Sequence, residues 1–132
     1  MTTNFPSELK YTKDHEWVSY DPDSKVATIG ITTFAAEQLG DVVSVELPNE
    51  GDHFDAGQVF GTVESVKAVS DLFAPIAGTV TEVNSMLTDS PEYVNEDGYG
   101  EGWMLKLAID DPSDLDELLD TAAYTEMVAA DE

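Results

Sequence analysis

Lys67 is the residue of this chain best placed to carry chemistry. It stands in Glu64-Ser65-Val66-Lys67-Ala68, between the strand-like runs 58–63 and 69–73, where a β-hairpin should turn. A lysine held at a hairpin tip can bear a covalent arm, because its amine stands clear of the sheet on a flexible stem. The competing reading is a solvated turn lysine, since polar residues fill turns generally. Ser65, Val66 and Ala68 read as the residues that set the turn. Glu64 flanks it, either as a recognition feature for a modifying enzyme or as a solvated carboxylate. The chain has five lysines and no arginine, so a lysine at this point is worth following.

Other chemistries find little support. The two histidines, His15 and His53, each lack a cysteine or second histidine at metal-ligand spacing. There is no cysteine, hence no internal disulfide, no thiolate ligand and no thiol nucleophile. Any sulfur chemistry must come from a cofactor. No activated-serine motif, P-loop or dinucleotide glycine signature occurs. Carboxylates are so abundant that paired spacings arise by chance. The expectation is a protein without a catalytic centre of its own and without a metal.

The elements that must position Lys67 are mostly short strands. Residues 13–20 alternate, with Lys13, His15, Trp17 and Ser19 on one face, and are expected to pair with 25–31 across the turn Asp21-Pro22-Asp23-Ser24. Ala27, Ile29 and Ile31 then share a face. Residues 33–40 read as a short helix with a threonine cap and a Gly40 stop. A strand over 42–47 should present Val43, Val45 and Leu47 together, and 79–83 reads as another strand. Ser90-Pro91-Glu92 reads as a capped helical turn, and Trp103, Leu105, Leu107 and Ile109 as a half-buried strand. A last helix, capped by Ser113, should carry Leu115, Leu118, Leu119, Ala122 and Met127 on one stripe. Gly-Thr-Val recurs at Gly61 and Gly78, a faint echo of two similar hairpin units.

With 132 residues the chain reads as one domain, its core spanning about 8–128. It carries 28 acidic residues against 5 lysines, a net charge of -23. Phosphate-bearing partners would be repelled, so nucleic acid and anionic membranes are not expected. The acids are spread over every segment, which points to a salty cytoplasm that screens self-repulsion, in preference to a nucleic-acid mimic. Met1-Thr2-Thr3-Asn4-Phe5-Pro6 has neither the basic segment and apolar stretch of a leader nor the arginines of a transit peptide. No apolar run approaches membrane-spanning length. A cytoplasmic location is expected.

A set of short stretches resembles the glycine cleavage H-protein family. They are His15-Glu16-Trp17-Val18, 30–35, Leu39-Gly40-Asp41-Val42-Val43, Glu64-Ser65-Val66-Lys67-Ala68, 75–80 with Val83-Asn84, Pro91-Glu92-Tyr93-Val94-Asn95 and Gly102-Trp103-Met104, in the family's order. Each is weak alone; together they are specific. The resemblance implies a mainly β fold, a flattened biotinyl/lipoyl-type barrel of antiparallel sheets with short helices and a C-terminal helix. It implies lipoate in amide linkage on Lys67, and a shuttle that is not itself an enzyme. The implied partners are a pyridoxal-phosphate-dependent glycine decarboxylase, an aminomethyltransferase, dihydrolipoamide dehydrogenase and a lipoylating enzyme. His15 and Glu16 would line a cleft that shelters the loaded arm; the bland reading is that they flank a packed Trp17 and Val18. Ser44 and Asn49-Glu50 depart from the family's usual residues, away from the tip.

Two neighbours and one outlier compete. A lipoyl domain of a 2-oxoacid dehydrogenase complex would have an aspartate where Val66 stands. A biotin carrier would have methionines beside the lysine. A non-catalytic lipoate-relay homologue would keep the motif without serving the shuttle.

Overall fold

A computed structural model of the chain describes residues 9–131; Met1–Pro6, read above for the absence of a leader, and Glu8 of the expected core lie outside the described residues. Among the described residues, nine strands form two antiparallel sheets. They are β1 (Lys10–Tyr11), β2 (Glu16–Asp21), β3 (Val26–Ile31), β4 (Val42–Glu46), β5 (His53–Phe54), β6 (Val59–Ser65), β7 (Val69–Phe73), β8 (Gly78–Val83) and β9 (Leu105–Ile109). The larger sheet runs β1-β2-β3-β9-β8-β5 and the smaller β4-β6-β7. The sheets face each other without closing into a strict barrel. Four α-helices, α1 (Thr33–Leu39), α2 (Met86–Asp89), α3 (Tyr93–Glu96) and α4 (Thr121–Asp131), and a 3₁₀ helix (Pro112–Glu117) complete the described residues. No helix is long and apolar enough to cross a membrane among the described residues.

Alternation explains the main core. Ala27, Ile29 and Ile31 on β3 and Leu105, Leu107 and Ile109 on β9 are buried, and they meet Val45, Val63 and Leu72 from the smaller sheet. A second cluster joins Leu9, Tyr11, Trp17 and Phe34 to Tyr124 and Val128 of α4. Trp17 lies opposite Gly30 across the β2–β3 pair, and a methyl on Gly30 would come within 2.7 Å of the indole. The glycine is what lets the ring lie down there, and its Nε1 donates to the Gly98 carbonyl at 3.0 Å.

Several expectations need correction. The strand does not run from 13: residues 13–15 are a turn, with His15 at φ 67, because Thr12 turns the chain back so that β1 can pair with β2. The Thr12 hydroxyl accepts the Asp14 and Glu16 amides, each at 3.2 Å. The threonine cap expected for the helix at 33 is present, and it is Thr32, whose hydroxyl accepts from Ala35 N. Val43 is 49% exposed while Val42 is buried, because a bulge between Val42 and Ser44 shifts the phase of β4. Residues 86–89 form an unforeseen helix, and Ser90 ends it instead of capping the next.

The expected last helix is two. Asp111, not Ser113, caps the 3₁₀ turn. Leu119 then leaves helical geometry to exchange both backbone hydrogen bonds with Tyr11, at 2.8 Å each. Asp120 restarts the chain as α4 by accepting the Ala123 amide at 2.8 Å. Tyr124 and Val128 are buried, whereas Leu118, Leu119 and Met127 of the expected stripe are half-buried.

Candidate functional site

The β6–β7 hairpin turns on Val66-Lys67-Ala68. Ser65, itself buried, builds the turn: its hydroxyl accepts the amides of Lys67 (3.3 Å) and Ala68 (3.1 Å) and lies 3.2 Å from the Ala68 carbonyl as donor. The Ser65 amide also donates to Ala68 O at 2.8 Å. A serine suits this position because one small side chain satisfies two donors that no strand partner can reach. Thus the structure brings Ser65, Val66, Lys67 and Ala68 into one turn. Glu64 is the last outward carboxylate before it, exposed and opposite Val69.

Lys67 is exposed, and among the described residues no carboxylate forms an ion pair with its Nζ. Its stem leans over Gly40: a methyl there would stand 3.4 Å from Lys67 Cε and 3.9 Å from Val66 Cγ2. Gly40 sits at φ 82, ψ -156, a conformation that L side chains rarely adopt. The tip is also anchored from outside the hairpin, because the Val66 amide donates to Asp41 O at 3.0 Å. Val66 (68% exposed), Val69 (65%) and Val43 surround this end of the hairpin with apolar surface on an otherwise acidic protein.

Beside the tip, a cleft of about 160 Å³ opens between α1 and the lysine hairpin. Val63 and Leu72 contribute apolar surface from β6 and β7, and Ala35 and Leu39 from α1. His15, Asp14 and Asp71 add polar edges. An apolar trough edged by carboxylates suits a hydrocarbon arm with a cationic end. His15 lines the cleft, and Tyr124 holds its ring: the phenol lies 2.9 Å from His15 Nδ1 and 2.8 Å from Thr32 Oγ1.

Glu16 is 2% exposed. Its Oε2 accepts the Phe73 amide at 2.8 Å, and the Thr12 hydroxyl lies 3.5 Å from Oε1. Burial pushes its carboxyl up to about 8, although the Phe73 amide pulls the other way. Trp17 and Val18 pack in the core, and Glu16, expected at the arm cleft or as a flanking charge, is buried with them and outside the cleft lining, because its carboxyl turns in to the Phe73 amide. His53 lies far along the chain's β5 edge, where it pairs with Asp110 at 2.6 Å, apart from the tip and cleft. Among the described residues no three metal-ligating side chains cluster.

Asp41, which braces the tip, and Tyr124, which holds His15, carry no sign of those roles in the sequence, and Tyr124 lies off the expected helix stripe.

The model of the glycine cleavage H-protein family matches residues 9–131. A glycine cleavage system H protein from Chlorobium phaeovibrioides is 57% identical over 125 residues, covering 95% of this chain and 98% of that protein. A probable one from Haloarcula marismortui is 52% identical over 128 residues, covering 97% and 99%. The crystal structure of a glycine cleavage system H protein from Mycobacterium marinum superposes with a TM-score of 0.87 at 38% identity, covering 95% of this chain and 99% of that one.

Proposed function

The chain belongs to the glycine cleavage H-protein family, and from that premise we propose that Lys67 is the residue on which it carries lipoate. The protein is a lipoyl carrier and not a catalyst. It is the shuttle of the glycine cleavage system, passing an aminomethyl group from glycine decarboxylase to the aminomethyltransferase. Lipoate held by Lys67 would supply the disulfide for this transfer, with its reoxidation left to dihydrolipoamide dehydrogenase. The family match favours this reading over a lipoyl domain of a 2-oxoacid dehydrogenase complex.

One observation carries the assignment of Lys67: it is the exposed tip residue of a hairpin whose turn is built by Ser65 and braced by Asp41. The fit is chemical. Amide formation needs an accessible amine that no buried ion pair holds, and the tip provides one. Tethering raises the local concentration of the carried group at each partner's site. The protein's own residues then do the presenting: Ser65 fixes the turn, and Gly40 leaves room for the stem. Glu64 offers the modifying enzyme a carboxylate at a fixed offset. His15, on the cleft edge, belongs to the wall that shelters the loaded arm.

We place the protein in the cytoplasm of a salt-adapted cell, as a single carrier domain. The charge of -23, spread along the chain, supports the salt reading. The test of the central assignment is an intact mass of protein from its native source, followed by peptide mapping across Lys67. One lipoyl increment on that lysine is the expected result. An unmodified Lys67 in native material would return the relay homologue as the better reading.

A further inference from the structure

We infer that Asn95, on α3, is a positioning residue for the lysine tip. The hydrogen bonds inside the hairpin fix the shape of the turn but not its direction. Direction comes from the Val66 amide, which donates to Asp41 O at 3.0 Å and carries the β4–β6 pairing one residue beyond Ser65. Asp41 itself lies in the irregular link between α1 and β4.

That link is held by one side chain. Asn95 Oδ1 accepts the Val42 amide at 2.9 Å, and Asn95 Nδ2 donates to the Gly40 carbonyl at 2.8 Å. The two bonds span Asp41 from both sides and leave its carbonyl little freedom to turn away from Val66. Val94, buried in the main core, anchors α3 beside it. The path therefore runs Asn95, then Gly40 and Val42, then the Asp41 carbonyl, then Val66, then Lys67.

The residue type is specific. The clamp needs one acceptor and one donor on a short planar group, which asparagine alone supplies at this length. An aspartate of the same shape would keep the acceptor and set a carboxylate against the Gly40 carbonyl. Gly40 also leaves open the space beside the lysine stem, where a methyl would stand 3.4 Å from Lys67 Cε, so the link that Asn95 holds borders Lys67 through its backbone and through its empty side.

This inference rests on the reading of Lys67 as the modified residue, and the test separates the two. Full-length Asn95→Ala and Asn95→Asp would be compared with the parent in two assays. One is amide exchange by NMR at Val66, with Leu105 and Leu107 as core references. The other is the rate of lipoate transfer to Lys67 by a lipoate–protein ligase with ATP, read by mass and peptide mapping.

The expected result is about tenfold faster exchange at Val66, the size of one lost hydrogen bond. Transfer to Lys67 should slow several-fold, with the core references unchanged. Should Asn95→Ala loosen the core as well, the isosteric Asn95→Asp gives the reading. Parent-like exchange at Val66 together with parent-like transfer in Asn95→Asp would overturn the inference. If the parent itself gains no mass on Lys67, the assignment of the lysine falls, while Val66 exchange still reports whether the clamp exists.

Discussion

Glu16 accepts the amide of Phe73 at 2.8 Å, and this bond ties the second strand of the large sheet to the return strand of the lysine hairpin. A carboxyl is an expensive group to bury, and here its surroundings hold it protonated to about pH 8.

The sign of the resulting pH dependence follows from that raised value. Between the ordinary carboxyl value of 4.5 and about 8, the unfolded chain has lost this proton while the folded chain keeps it. Stability from this group is therefore full below 4.5 and falls as pH rises through the window. Glu16→Gln keeps an acceptor for Phe73 and removes the titration. Its stability relative to the parent should rise on the order of 3 kcal/mol from pH 5 to pH 8. Urea unfolding at the two pH values measures this; a difference that stays flat or shrinks would refute the buried-acid account.

Lys67→Arg should abolish both the lipoyl increment and carrier activity in a glycine-exchange assay. Arginine keeps the charge but offers no amine to acylate. Because Lys67 is exposed, the thermal midpoint should stay within about a degree or two of the parent, as for most surface changes. An active variant would remove Lys67 from the mechanism.

Two glycines should differ sharply on conversion to alanine. At Gly61 a methyl would stand 2.2 Å from the Glu46 carbonyl oxygen, so β4 and β6 would have to separate. Gly61→Ala should cost about 3 kcal/mol. Gly51 has φ 93 but nothing within 4 Å of a new methyl. Gly51→Ala should cost only the backbone term, about 1 kcal/mol. Denaturant midpoints decide the order.

Salt should matter more than any single pair. Against -23 net charges, the ion pairs among the described residues are His53 with Asp110 and Lys106 with Glu82. Screening shortens to about 3 Å at 1 M, which weakens repulsion between neighbouring carboxylates. The thermal midpoint should climb steadily from dilute buffer to about 1 M potassium chloride. Full stability in dilute buffer would refute the salt-adapted reading.

The hairpin and its lysine were legible in the sequence because they are local: two β-rich runs flank a polar tip, and Ser65 lies within three residues of every group it bonds. The β3 and β9 faces were legible because one side of each strand meets a core. What stayed hidden depends on distant partners. Val43 faces out because of a bulge that only pairing with β6 reveals. Glu16 looked like a flanking charge until Phe73 arrived from the other sheet. Asn95 has no local sign of its role, since both its bonds cross to residues far earlier in the chain.

The exchange of backbone bonds between Tyr11 and Leu119, with Tyr124 stacked on Tyr11 at 4.7 Å, joins the first described strand to the last described elements. The described residues are in effect a ring closed without a covalent bond. Neither β1 nor α4 can detach alone: peeling β1 away also strips Leu119 of its partners, and lifting α4 uncovers Tyr11. Closing so long a loop carries a large entropic penalty and little early reward. This junction should therefore form late in folding, after the two sheets have met, and act as the latch that slows unfolding once it is shut.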